Sequence, residues 1–120
     1  MATNEVFIND RGIVEIVVKG DQTENSVRIM AESAYALCAS LRTHDKPALI
    51  LDNLLEIGTV PPEARALVVE LIRSDQFDKL AMVGSDTIMR FGANLMLHAT
   101  GKGARVKYFD SYTAASEWLL

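Results

Sequence analysis

The residues able to do chemistry are few and scattered. The only histidines are His44 and His98, and the only cysteine is Cys38. No two of them have the spacing that brings ligands to one ion, so neither a metal nor another cofactor is expected. No Gly-x-Ser-x-Gly run is present to carry a serine nucleophile. Cys38 falls on the apolar side of a predicted helix, where a thiol is inert, and a lone cysteine closes no internal disulfide. Gly101-Lys102-Gly103 has the composition of a phosphate loop but the wrong surroundings. Such a loop leads from a strand into a helix, whereas this one leaves a helix and enters a strand. Asp75 and Asp78 flank a turn and are expected in solvent. One hydroxyl stands out. Thr59 is a candidate phospho-acceptor, set among Asp52, Glu56 and Glu63 with Arg65 as the nearby cation. A phosphate there would meet like charge, and the competing reading is a loop or capping hydroxyl.

The stretch from Ile88 to Ala99 is unusual for a helix. At about 100° per residue, Arg90, Asn94 and His98 fall in one polar strip. All the other residues are apolar or glycine, so the apolar arc spans roughly 240°, against the roughly 100° a surface helix needs. Ile88, Phe91, Gly92, Leu95 and Ala99 can cover a sheet. Met89, Ala93, Met96 and Leu97 are left on the flank, to meet a neighbouring helix, a second copy of the chain or an apolar ligand. The strip of Arg90, Asn94 and His98 is a solvated face or, as a second reading, a recognition strip.

Local signals set the elements that would position these residues. Glu5–Ile8 and Ile13–Lys19 are rich in Val, Ile and Phe around the turn Asn9-Asp10-Arg11-Gly12, which predicts a β-hairpin. Val27, Met30, Ala31, Ala34, Leu37, Cys38 and Leu41 recur at helical spacing, with caps available between Thr23 and Ser26. Ala48–Leu51 reads as a short buried strand and Asp52–Thr59 as a loop. Pro61 and Pro62 suit the first turn of a second helix, with Ala64, Leu67, Val68, Leu71 and Ile72 as its buried stripe. Lys79–Val83 and Arg105–Phe109 are strands. A last helix capped by Asp110 or Ser111 is expected to bury Tyr112, Ala115, Trp118 and Leu119. The expected class is α/β, an N-terminal hairpin followed by α-β-α-β-α-β-α, with a mixed and mainly parallel sheet. Residues 1–120 form one domain.

With 23% charged residues, net charge −4 and no basic run, the chain is a poor match for nucleic acid. No apolar run reaches the roughly 18 residues of a membrane span. The N-terminus lacks the pattern of a secretory signal, and a cytoplasmic location is expected.

The segments Phe77–Gly84 and Val106–Asp110, the run from Ala114 to Leu119, Pro62-Glu63-Ala64-Arg65 and Met89-Arg90-Phe91 resemble the SpoIIAA-like, STAS/SEC14-type bacterial family. The resemblance is good over residues 47–119 and extends to the first half by element order alone. It implies a STAS-like fold, shared in outline with lipid-binding SEC14 proteins, and many members have no assigned activity. In the anti-sigma-factor antagonists of that family an Asp-Ser-Ser-Gly-like motif carries a phosphorylated serine. The matching stretch here is Ile57-Gly58-Thr59-Val60-Pro61-Pro62, which lacks the Asp-Ser pair and has Thr59 as its one hydroxyl. The expectation is a non-enzymatic regulatory or protein-interaction module, homodimeric, with a carrier or sensor of a small, lipid-like apolar molecule as the alternative.

Overall fold

The computed structural model describes residues 2–85 and 105–120. A five-stranded sheet takes the strands in sequence order: β1 (Glu5–Ile8), β2 (Val14–Gly20), β3 (Leu49–Ile57), β4 (Lys79–Val83) and β5 (Val106–Phe109). β1 and β2 are antiparallel, and β2 through β5 run parallel. The hairpin forms because Asn9 Oδ1 accepts from the N–H groups of Arg11 and Ile13, and Gly12 supplies a φ of +78° that other residues adopt reluctantly.

Three helices are described: α1 (Glu24–Thr43), α2 (Pro62–Ile72) and α3 (Tyr112–Leu119). Thr23 and Ser26 cap the start of α1 reciprocally. Pro62 opens α2 at a position whose N–H has no partner within the helix. Ser111 Oγ accepts from Ala114 N at the start of α3.

The pleat sorts the core into two layers. Val14, Ile16, Val18, Ile50, Leu54, Leu80, Met82 and Val106 face α1, where Ala34, Cys38 and Leu41 meet them. Ile13, Leu49, Leu51, Ala81 and Val83 face the other way, onto Ala115 and Leu119 of α3. α1 and α2 pack on one another. Burial pushes the Cys38 thiol up to about 11, which keeps it protonated and inert.

Three expectations are corrected. Residues 52–57 are strand rather than loop, since β3 runs to Ile57. Beyond Asn53 this strand outruns β4 and is held by β2 alone, through a register shift between Val17 and Lys19. Tyr112 is exposed rather than buried, because the first turn of α3 overhangs the sheet and the phenol donates to Glu15 Oε1 at 2.5 Å. Asp78 is not merely solvated. Its Oδ2 accepts from Ala48 N at 2.7 Å and its Oδ1 meets Arg42 Nη2 at 2.9 Å, which pins the start of β3 to the end of α1.

Candidate functional site

β3 alternates Ile50, Asp52 and Leu54 on the face covered by α1 and α2. That alternation turns a carboxylate into the apolar layer. Two hollows lie there, of about 60 Å³ and about 30 Å³, and Val27, Met30, Asp52, Val68 and Met82 border both. The larger one is otherwise apolar except for Tyr35, whose hydroxyl donates to Leu71 O at 2.8 Å. The smaller one adds Gln22, which donates to Asn4 Oδ1 and to the carbonyls of Lys19 and Gly20.

Among the described residues, three side-chain atoms are sealed from solvent without a hydrogen-bond partner: Asp52 Oδ1, Tyr108 Oη and Arg105 Nε. Asp52 and Tyr108 stand level on alternate strands with Met82 between them, and of the two only Asp52 borders the hollows. Asp52 keeps some exposed surface, yet loss of hydration raises its pKa to about 7. The Tyr108 phenol is also pushed up, first by burial and then by the charge of Asp52. Among the described residues neither Asp52 Oδ1 nor Tyr108 Oη bonds to a cation. Arg105 is engaged with the carbonyls of Phe77 and Ser74 at 2.6 and 2.7 Å, and Lys107 lies over the Phe109 ring.

Thr59 sits away from this layer, exposed where the ends of β2 and β3 are strapped together. Its N–H donates to Asp21 Oδ1, Gly58 N to Gly20 O and Gln22 N to Thr59 O, each at 2.8 Å. These bonds to Thr59 hold the Asp21 carboxyl below its usual pKa. A phosphate on Thr59 would therefore face an ionised carboxylate. A Cβ on Gly58 would collide with the Asp21 side chain and the Gly20 carbonyl carbon, so the strap requires glycine.

Met89, Ala93, Met96, Leu97, Arg90, Asn94 and His98 lie outside the described residues. Among the described residues no cluster of three His, Cys, Asp or Glu could hold a metal ion, and no helix is long and apolar enough to cross a membrane. The alternating Ile50-Asp52-Leu54 pattern was the signal that could have located the buried carboxyl in the sequence.

The model of the family described as SpoIIAA-like matches residues 13–120. No curated protein matches the chain. Among solved structures, it is similar to an uncharacterized protein of the DUF3478 family with a SpoIIAA-like fold from Shewanella loihica PV-4, at 17% identity and a TM-score of 0.69, over 100% of this chain and 96% of that one. At that identity the likeness concerns the fold alone. With the family match over nearly the whole length, the chain belongs to the SpoIIAA-like family.

Proposed function

We propose that the domain is a non-catalytic STAS-type interaction module, and that its contact surface is the open edge of β1, occupied by a second copy of the chain. The observation that carries this reading is the register of the hairpin. Thr3 N donates to Lys19 O and Asn9 N to Ile13 O, so residues 3 and 9 bond inward to β2. Antiparallel alternation then turns the N–H and C=O groups of Asn4, Val6 and Ile8 outward, away from any partner strand. Neither lysine nor proline guards this edge. On the α1 side it borders a groove of about 300 Å³ between Val6, Ile29 and Met30, and Ile29 and Ile8 remain 56% and 40% exposed.

An antiparallel strand pair is self-complementary under a two-fold axis. An axis through Val6 pairs Asn4 with Ile8 of the other copy and forms about six backbone hydrogen bonds. It sets Glu5 against the partner's Phe7, which keeps the two glutamates apart. It also drops the partner's Val6 and Ile8 side chains toward the groove. Sedimentation equilibrium tests this. The wild type should dimerise at micromolar concentration, and Val6→Pro, which deletes an outward N–H and spares the ladder to β2, should be a folded monomer. A wild type that stays monomeric up to roughly 100 μM, or a dimer indifferent to Val6→Pro and Ile8→Lys, refutes it.

The carrier alternative rests on the hollow beneath α1 and α2. An engineered cavity that holds benzene has about 150 Å³, against about 60 Å³ here. A few heavy atoms fit as the domain stands, and an acyl chain would need α1 and α2 to part from the sheet.

A further inference from the structure

We propose that Asp52 forms the polar end of a binding site for a compact organic cation, an alkylammonium of a few carbons whose tail fills the hollow beneath α1 and α2. The argument begins with an accounting of polar groups. Buried polar atoms in folded proteins almost always find partners. Of the polar side chains bordering the hollows, Tyr35 and Gln22 do so, while Asp52 Oδ1, which can accept a hydrogen bond, does not. An ammonium head carries several donors and the charge that a buried carboxylate lacks. An anion would be repelled, and a neutral alcohol would leave the carboxylate without a counter-charge.

The size and walls agree with this chemistry. A water needs roughly 10–15 Å³ of such space, so the larger hollow, at about 60 Å³, suits about four heavy atoms. Its walls include Ile16, Val27, Ala31, Val68 and Leu80, which match a short hydrocarbon tail. Among the described residues, the titratable groups bordering this space are Asp52 from β3 and Tyr35 from α1, and Arg105 lies behind its wall, over the Phe77 ring and near Tyr35. α2 contributes apolar side chains alone. The high pKa of Asp52, about 7, gives the site a pH signature. A cation binds the ionised form, so its affinity rises with pH through that value and then levels off.

The experiment is an amide NMR titration of the full chain with n-propylammonium, n-propanol and propionate at pH 6 and pH 8. Propylammonium should shift amides of β3, β4 and α1, and should bind about tenfold more tightly at pH 8, following the ionised fraction of a group titrating near 7. Propionate should not bind. Asp52→Asn should lower affinity at pH 8 at least about tenfold and abolish the pH dependence. Three results overturn the proposal: no shifts with propylammonium up to roughly 100 mM, propanol binding as tightly as propylammonium, or Asp52→Asn binding like the wild type. A crystal structure grown with propylammonium that holds only waters beside Asp52 in the hollow would overturn it as well.

Discussion

Replacing Asp52 by Asn should stabilise the domain, by an amount that depends on pH. In the folded chain the carboxyl titrates near 7 instead of 3.8, because burial disfavours its charged form. The native state therefore holds a proton that the unfolded state gives up between those values. This single group makes stability fall by about 1.4 kcal/mol per pH unit across that window. Its contribution is neutral below about pH 4 and reaches its full cost above pH 7. The difference of about three units corresponds to about 4 kcal/mol, an upper figure because the residue is not wholly enclosed. Asn keeps the shape and cannot ionise. Urea denaturation of both proteins at pH 4, 6 and 8 measures the difference. With m near 2 kcal/mol/M, the midpoint of the variant should exceed that of the wild type by up to about 2 M at pH 8 and by almost nothing at pH 4. A gain of the same size at every pH would assign the effect to packing. A loss at pH 8 would mean that the carboxylate has a partner, and the reasoning about the hollow would fail.

Other perturbations test other joints of the fold. Asp78→Ala should cost about 1–3 kcal/mol in urea melts, because the fully buried Ala48 loses the acceptor for its N–H. The pKa of Asp78 is lowered by that bond and then by Arg42. Its stabilisation is therefore present above the unfolded value near 3.8 and is lost as pH falls through the folded one, so the two proteins should converge in acid. Gly58→Ala should cost about 1–3 kcal/mol by overpacking against Asp21 and Gly20, measured as a lower denaturation midpoint. Thr59→Glu, a stand-in for the phosphothreonine, should lower the thermal midpoint through repulsion by Asp21, and added salt should recover the loss. A thermal midpoint raised by the substitution would reverse that reading of the strap.

Most of the architecture was legible because local and global signals agree. The hairpin follows from Asn9 through Gly12, α1 from its apolar repeat and Thr23, and α2 from Pro62. Errors occurred where a distant partner decides the outcome. Asp78 reads as solvated until Ala48, thirty residues away, is brought beside it. Tyr112 has the helical spacing of a core residue, but its position in the first turn leaves it at the rim, with Glu15 as its partner. Arg105 gives no sign in the sequence that it joins the carbonyls of Phe77 and Ser74.

The end of β3 was the consequential misreading, and its cause is physical. Asp, Asn and Glu are depleted in strands, so Asp52, Asn53 and Glu56 suggest a loop after Leu51. The sheet overrides that preference because β2 continues alongside and supplies the backbone partners as far as Ile57. Once the strand is extended, the period of two leaves Asp52 no choice of face. Ile50 and Leu54 are core residues on the helical side, and the residue between them in that alternation is an acid. A boundary moved by a few residues thus carries a carboxylate from solvent into the apolar layer. An amide at that position should give a more stable domain, and positions where a less stabilising residue stands in an otherwise consistent pattern are where function is to be sought. This makes Asp52, rather than the strand-end loops that open α/β sheets usually use, the first residue to change.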